Sequence, residues 1–273
     1  MEEFIIIGLL SLVSSIIYQL FLGWLFRKYH LFVEINHRSS HNAKATATGG
    51  IAIFLSLITT TLYFYFTSFI QIYDYSIILP LSILFIVGFY DDLENADFKL
   101  KLLLQLIVAK LLIDQGFVLD EFYLLNGLFI PNYFFAQILT GILITSIINS
   151  INFIDGIDGL AIGFCLFVLI FTLLFTSNNE LLNLNLILTI ALLSGLYFNL
   201  KSSNKVFLGD SGSLFVGGII SINAINLLEP DVSINFDLDP NKFLLFGLIM
   251  FYPLVDSIRT IMIRILNNKS PFV

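Results

Sequence analysis

Polar residues suited to phosphate or metal chemistry are concentrated in the stretch from Asn149 to Ala161, which contains two Asn and two Asp. An Asp at the centre of a membrane helix costs roughly 2.5–3.5 kcal/mol on insertion scales, so such residues lie at helix ends or in wet cavities. Asp155 and Asp158 are three residues apart, so a helical turn would put both carboxylates on one face. We predict a polar ligand or metal site at a membrane surface. The simpler alternative is that Asp158 only caps the next helix.

Two adjacent acids, Asp91 and Asp92, end an apolar segment, and Lys99, Lys101 and Gln105 follow them. Paired carboxylates at a helix end can hold Mg²⁺, which usually takes one or two protein carboxylates and completes its octahedron with phosphates and water. They could also act on a bound phosphate. The alternative is an ordinary polar helix end.

A third polar stretch, from Phe207 to Ser213, combines glycines with one acid, Asp210. Gly209 and Gly212 favour a helix start at this point. Backbone N–H groups at a helix N-terminus attract anions, and Asp210 would bind the accompanying cation. Phe207 could stack on a base, although a packing or lipid-facing role is the alternative.

The first polar loop carries Arg38, His41 and Lys44, which could hold phosphate oxygens by charge-assisted hydrogen bonds. The alternative is a solvated loop on the positively charged side of a membrane. Gly49 and Gly50 follow, and their lack of a side chain would let the next helix begin against another backbone.

The composition places all these residues in a membrane protein. Hydrophobic residues make up 58% of the 273-residue chain, charged residues 12%, and the mean hydropathy is +0.93. A helix needs about 20 apolar residues to cross the bilayer, and about nine segments qualify. We therefore predict an all-α polytopic membrane protein of one domain, residues 1–273; its spans are 4–26, 50–70, 75–90, 102–118, 134–150, 159–176, 183–199, 212–228 and 243–266. The net charge of −7 argues against a nucleic-acid partner.

Lysine and arginine determine the predicted orientation. If the N-terminus lies outside, 11 of the 13 Lys and Arg residues fall on inside segments, Lys242 falls outside and Lys110 lies within the fourth span. All the acidic motifs then face the cytoplasm. Within the spans, Lys110 and Asp114 are predicted to neutralise each other inside the bundle. In the ninth span, Asp256 and Arg259 are predicted to form an ion pair, and Pro253 is predicted to kink or split the helix.

Three motifs in order give the chain a family resemblance: Asp91-Asp92 with Lys101 and Gln105, Asn149 to Gly159, and Phe207 to Ser213. The chain resembles the polyprenyl-phosphate N-acetylhexosamine-1-phosphate transferases, the MraY/WecA-like branch of glycosyltransferase family 4. The resemblance covers about residues 36–273. It implies that a polyprenyl (undecaprenyl) phosphate attacks the sugar-linked phosphate of a UDP-N-acetylhexosamine, such as UDP-GlcNAc, and that UMP leaves.

The resemblance also implies roles and partners. It places Mg²⁺, with Mn²⁺ as an alternative ion, in a bacterial plasma-membrane enzyme with its site facing the cytoplasm, and a homodimer is compatible with it. The implied catalytic residues are Asp91, Asp92, Lys101 and Asp210. The implied metal ligands are Asn152 and Asp210, and the implied substrate-binding residues are Arg38, His41, Lys44, Asn149, Asp155, Asp158, Phe207, Gly209 and Ser213.

The end of the chain departs from the family pattern. Relatives continue past the counterpart of Ser270 to Phe272 into a His-rich loop and a further helix, whereas this sequence stops at Val273. We therefore expect a form that lacks this segment. Two other functions stay open at this point: an inactive relative that serves as an assembly partner, and a transporter whose acids bind a substrate or coupling ion.

Overall fold

Nine α-helices dominate the computed structural model over the residues that it describes, which are 2–33, 45–67, 71–124, 127–176, 178–201, 204–228 and 242–267. The helices are α1 (Glu2–Lys28), α2 (Gly49–Thr67), α3 (Ile78–Glu94), α4 (Phe98–Asp114), α5 (Tyr133–Ile154), α6 (Leu160–Phe175), α7 (Asn179–Leu200), α8 (Gly209–Leu228) and α9 (Lys242–Leu266). One short antiparallel hairpin joins α4 to α5; its strands are β1 (Phe122–Leu124) and β2 (Gly127–Phe129).

The helices confirm an all-α polytopic membrane protein. Six of them are long and apolar enough to cross a bilayer: α1, α2, α3 with the short 3₁₀ turn before it, α5, α7 and α8. The α6 helix is a shorter apolar helix. Helices also form where the fourth, sixth and ninth spans were predicted, but that these three cross the membrane stays a prediction.

Helix α8 lies at the centre of the bundle, where its apolar stretch is entirely buried. It packs most extensively against α3 and α5, and also contacts α2, α6 and α9. Small residues let neighbouring helices approach closely in a membrane, and those of α8 include Gly212, Gly217 and Gly218. An added Cβ on Gly217 would lie 3.0 Å from the Ile148 Cα of α5. The central position of α8 brings its first residues, including Asp210, to the point where several helices end.

Three polar side chains within the apolar interior, those of Thr172, Asn185 and Asn223, hydrogen-bond one another. The amides of Asn185 and Asn223 exchange hydrogen bonds of 2.6 and 3.0 Å between α7 and α8, and Asn185 also donates to the Thr172 hydroxyl of α6. Such pairing removes the cost of unsatisfied polar groups in hydrocarbon. These residues therefore bind the three helices together.

Two predictions about charged pairs meet different outcomes. Lys110 and Asp114 do form an ion pair, but both side chains are 54% exposed on the outside of α4, so their predicted place inside the bundle is wrong. Asp114 is the last residue of the helix, where a long Lys side chain can carry its charge toward the membrane edge. Asp256 and Arg259 pair at 2.8 Å as predicted. Pro253 lies inside the uninterrupted helix α9, so this helix is not split.

Candidate active site

One buried lysine, Lys101, contacts two other predicted catalytic residues, Asp91 and Asp210, and the predicted metal ligand Asn152. The Lys101 Nζ of α4 donates to Asp91 Oδ2 of α3 at 2.5 Å and to Asp210 Oδ2 of α8 at 2.9 Å. It also donates to Asn152 Oδ1 of α5 at 3.5 Å. We call these four residues the Lys101 cluster. It forms where α3 and α5 end and α4 and α8 begin, so residues up to 119 positions apart in sequence meet at one end of the bundle.

Hydrogen bonds around the cluster hold each member in one orientation. Asn152 Nδ2 donates to Asp210 Oδ1 at 2.7 Å and to Ser213 Oγ at 2.8 Å. One helical turn behind, Gln105 and Asn149 pair through both ends of their amides, at 2.7 and 3.2 Å, and thereby join α4 to α5. The predicted substrate-binding residue Asn149 thus supports the cluster from behind, and its contact with substrate stays a prediction.

The two adjacent acids face different partners. Asp92 Oδ1 accepts a hydrogen bond from the Asp210 N–H at 2.8 Å, and Asp92 Oδ2 accepts one from the Ser211 N–H at 3.0 Å. A carboxylate in this position satisfies two of the donors that a helix N-terminus leaves free and complements its dipole. The sequence predicted an anion at the start of α8, and the protein itself supplies one. Asp91 instead points to Lys101.

Glycines permit the backbone contacts that fix the start of α8. A Cβ on Gly88 of α3 would lie 2.5 Å from the Asp210 carbonyl carbon and 2.6 Å from Ser211 Cα. A Cβ on Gly50 of α2 would collide with the backbone of Gly212. The Gly50 N–H also donates to the Leu208 carbonyl at 2.9 Å, which confirms that α2 begins against another backbone.

The turn from Asp155 to Gly159 differs from both predictions made for it. Helix α5 ends at Ile154, so Asp155 and Asp158 do not share a helical face. The N-cap of α6 is Gly159, at φ +70°, and no side chain bonds there, so Asp158 is not the cap. A left-handed residue at this position reverses the chain, which glycine does without steric cost.

Asp158 belongs to a second polar group, which we call the Lys205 cluster: Asp158, Lys205 and Phe207. The Lys205 ammonium pairs with the Asp158 carboxylate, and their side chains are 8% and 17% exposed. The same ammonium lies 5.5 Å from the centroid of the Phe207 ring, within the range of a cation–π contact. Phe207 is half-buried. The structure therefore brings together Asp158 and Phe207, two residues that the family resemblance implies are substrate-binding.

Asp155 lies between the two clusters. Burial raises the pKa of the Asp155 carboxyl well above its ordinary range, and the negative charges of Asp210 and Asp92 raise it further. The Gly209 N–H, which hydrogen-bonds Asp155, acts in the opposite direction.

The first loop enters and leaves the described structure beside the Lys205 cluster. The Val33 N–H donates to the Ala45 carbonyl at 2.9 Å, which joins the two residues that flank the loop. Thr46 then pairs with Val206 in a parallel bridge, between Lys205 and Phe207 in sequence. The three predicted phosphate-binding residues of the loop itself lie outside the described residues: Arg38, His41 and Lys44. Residues 268–273, at the end of the chain, also lie outside them.

The side-chain oxygens of the Lys101 cluster are suitable ligands for a hard divalent cation. Oxygens of Asp91, Asp210 and Asn152 already converge on one positive charge, the Lys101 ammonium. Carboxylate and amide oxygens are the ligands that Mg²⁺ accepts. Among the described residues, no group of three or more His, Cys, Asp or Glu could hold a metal ion. The side chains of Asp91, Asp210 and Asn152 would leave the rest of the octahedron of a bound Mg²⁺ to water and phosphate oxygens.

Two residues of this region were not predicted from the sequence. Lys205 is one of the 11 basic residues that the sequence assigns to inside segments, and its place two residues before Phe207 is the signal that could have identified it. Asn199 ends the apolar run of α7, and its amide accepts from the Gly159 N–H at 2.7 Å and donates to the Val206 carbonyl at 3.0 Å. Asn199 thus ties together the two segments that carry Asp158 and Phe207.

Known proteins resemble the chain over most of its length. The chain is 30% identical over 241 residues to a probable undecaprenyl-phosphate N-acetylglucosaminyl 1-phosphate transferase of Bacillus subtilis, a match that covers 86% of this chain and 64% of the relative. It is 31% identical to a phospho-N-acetylmuramoyl-pentapeptide-transferase of Petrotoga mobilis, over 77% of this chain and 70% of that protein. It is 26% identical to a decaprenyl-phosphate N-acetylglucosaminephosphotransferase of Mycobacterium leprae, over 100% of this chain and 74% of that protein.

The chain aligns with only part of each relative's length: 64% of the Bacillus protein and 52% of a phospho-N-acetylmuramoyl-pentapeptide-transferase of Dictyoglomus turgidum. The model of glycosyl transferase family 4 matches residues 74–228, more than half of the chain, and this range holds both clusters. The motifs, the clusters that they form and these matches lead to one conclusion: the chain belongs to glycosyl transferase family 4, the polyprenyl-phosphate N-acetylhexosamine-1-phosphate transferase family.

Proposed function

We propose that this protein transfers N-acetylhexosamine-1-phosphate from a UDP-sugar, UDP-GlcNAc in the first instance, to a polyprenyl phosphate and releases UMP. In this reaction an oxygen of the lipid phosphate bonds to the sugar-bearing phosphorus. The bond from that phosphorus to the UMP oxygen breaks, and UMP leaves with the electron pair. The product is a lipid-diphosphate sugar of the kind that begins a cell-surface polysaccharide.

The observation that carries the proposal is the Lys101 cluster. Phosphoryl transfer requires positioning and charge neutralisation more than covalent help from the protein. The cluster provides one cation, the Lys101 ammonium, and it places two carboxylates and one amide oxygen within 3.5 Å of the Lys101 Nζ. It lies at helix ends, where a lipid phosphate and a soluble nucleotide could meet.

Each residue of the cluster has a task in this reaction. Asp210 and Asn152 would hold Mg²⁺, which when bound would neutralise charge on the diphosphate. Lys101 offers its N–H donors to phosphate oxygens. Asp91 contacts Lys101 and not the α8 backbone. Its carboxylate is therefore placed to accept a proton, or to repel a phosphate that binds in the wrong position. Asp92 keeps the start of α8 in place through Asp210 and Ser211.

The Lys205 cluster is the proposed binding site for the nucleotide. A half-buried aromatic ring gives a face on which a base can stack, and a carboxylate can accept hydrogen bonds from the N–H of a uracil or from a ribose hydroxyl. The residues that flank the first loop, Val33 and Ala45, are hydrogen-bonded to each other, and the next residue, Thr46, is hydrogen-bonded to Lys205 of this cluster. The basic residues Arg38, His41 and Lys44 are proposed to meet the diphosphate from there.

The proposed site faces the cytoplasm. The partition of Lys and Arg supports this orientation, because it predicts that the ends of α3 and α5 and the beginnings of α4 and α8 lie on the inner side. Nucleotide sugars are cytosolic, so this orientation brings donor and acceptor to one face. Transporter sites instead tend to lie near the bilayer midplane between repeats, whereas the acids of the Lys101 cluster lie at helix ends.

The test uses membranes that carry this protein, undecaprenyl phosphate and a panel of UDP-sugars, with UMP release and the lipid product measured together. We expect UMP and lipid-diphosphate sugar in equal amounts. Lys101→Gln should abolish both, because it removes the charge at the centre of the cluster. Lys110→Gln is the matched control, since it removes an exposed lysine from the same helix and should leave the rate unchanged. UMP release without a lipid product, or none with any UDP-sugar, would overturn the proposal.

A further inference from the structure

Lys205 is buried far more deeply than a loop lysine normally is. The residue is 7% exposed, and its ammonium lies between the Asp158 carboxylate and the Phe207 ring. A charged side chain is rarely buried unless it is paired. A buried ion pair is often no more stabilising than well-packed apolar residues in its place. The pair therefore has a better explanation in the site than in the stability of the fold.

The backbone around Lys205 is held as firmly as its side chain. The Thr46 N–H donates to the Lys205 carbonyl at 3.3 Å, and the Phe207 N–H donates to the Thr46 carbonyl at 2.8 Å. On the other side, Asn199 joins Val206 to Gly159. Because these contacts fix the chain on both sides, the Lys205 ammonium can act as a rigid bridge between Asp158 on one segment and Phe207 on the other.

We propose that Lys205 is a positioning residue of the donor site, which holds the Asp158 carboxylate and the Phe207 ring in the arrangement that receives the uridine moiety. The proposal rests on the proposed function, since it takes the ligand to be a uridine nucleotide. Lys205 acts through these two residues. Its loss should therefore weaken the binding of the nucleotide and leave the use of the lipid phosphate unchanged.

The test compares Lys205→Gln, Lys205→Arg and a matched control, Lys201→Gln. Lys201 lies in the same loop, and its ammonium lies over an aromatic ring, that of Tyr197, at 5.8 Å. Two readouts are needed: the dissociation constant for UMP, measured by calorimetry on the purified protein, and separate KM values for UDP-GlcNAc and undecaprenyl phosphate. The first does not depend on turnover.

For Lys205→Gln we expect the UMP dissociation constant and the donor KM to rise about ten- to a hundredfold, the range for loss of one charge-assisted hydrogen bond. The lipid KM should change less than about twofold, since a loss confined to the donor site leaves acceptor binding unaltered. Lys205→Arg should restore much of the affinity, and Lys201→Gln should match the wild type. Adding Lys205→Gln to Asp158→Asn should cost little more than Asp158→Asn alone, because coupled residues are not additive.

The proposal is overturned by an unchanged UMP dissociation constant, by equal increases in the two KM values, or by additive effects of the two substitutions. If Lys205→Gln does not fold, Lys205→Arg and Asp158→Asn decide the matter: loss of donor affinity in Asp158→Asn with retention in Lys205→Arg supports it, and any other pattern contradicts it. A wild-type protein that binds UMP but releases none from UDP-sugars would refute the proposed function while leaving the role of Lys205 testable by binding. A wild type that does not bind UMP refutes both.

Discussion

Gly88→Ala tests whether close packing of α3 against α8 sets the geometry of the active site. The new Cβ would lie 2.2 Å from the Asp210 carbonyl oxygen, whereas ordinary contact begins at 3.4 Å, so one helix must retreat by about 1.2 Å, the difference between the two. A retreat of α8 would disturb the Lys101–Asp210 contact of 2.9 Å, and a retreat of α3 would disturb the Lys101–Asp91 contact of 2.5 Å. Either retreat would also pull the α8 N-terminus from Asp92.

Misplacement of a catalytic group by about 1 Å can cost a hundredfold in rate. We therefore expect kcat to fall by about a hundredfold in Gly88→Ala. Overpacking costs about 1–3 kcal/mol of stability, partly offset by the 0.5–1 kcal/mol or so by which Ala is favoured over Gly within a helix. The net loss of stability should thus be small compared with the loss of activity.

The assay is the initial rate of UMP release from purified protein at saturating UDP-GlcNAc and undecaprenyl phosphate, together with the thermal unfolding midpoint. Gly141→Ala is the control, because a Cβ on this residue of α5 would meet no atom within 4 Å. It should keep the wild-type rate. The reasoning is refuted if Gly88→Ala retains a kcat within about threefold of the wild type, which is less than 1 kcal/mol of barrier, or if Gly141→Ala loses as much.

Four further predictions concern single residues. Asp210→Asn keeps the size of the side chain but removes the proposed metal-binding charge, so UMP release should fall by about a hundredfold or more; near-normal turnover at saturating Mg²⁺ would contradict this. Phe207→Ala should raise the KM for the UDP-sugar, because an aromatic face against a base is worth about 1–3 kcal/mol; an unchanged KM would return the ring to a packing role. Asn95→Cys should react only with thiol reagents that cross the membrane, since the partition of Lys and Arg predicts that this residue lies inside; labelling of intact cells by an impermeant reagent would contradict the predicted orientation. Asp92→Asn should lower the free energy of unfolding by about 1.5–3 kcal/mol, since one backbone N–H of α8 loses its charged acceptor; an unchanged unfolding midpoint would show that these bonds add nothing.

The sequence alone was sufficient for the class of protein and for most of its helices. Apolar segments of membrane length predict helices whatever their neighbours are, because each helix satisfies its own backbone hydrogen bonds. The glycines at Gly49, Gly50 and Gly209 correctly predicted where α2 and α8 begin. The three motifs, taken together in order, also predicted the family. These signals are local, or depend only on order along the chain.

The tertiary structure decided what each polar residue contacts. Asp91 and Asp92 are adjacent and chemically identical, yet one faces Lys101 and the other binds the backbone of α8. Neighbouring residues on a helix point about 100° apart, so which acid faces which partner depends on how α3 is rotated against α4 and α8. No pattern within α3 carries that information.

The same reason explains the residues that the sequence did not predict correctly. Asp158 could have capped α6, but a lysine 47 residues away pairs with it instead. The Lys110–Asp114 pair follows from helical spacing, whereas its exposed position depends on which side of α4 the bundle covers. Spacing along one helix determines which of its own residues can meet. Contacts between helices depend on how the apolar surfaces of the whole bundle pack. The contact of Lys205 with Asp158 therefore depends on the packing of α5, α7 and α8.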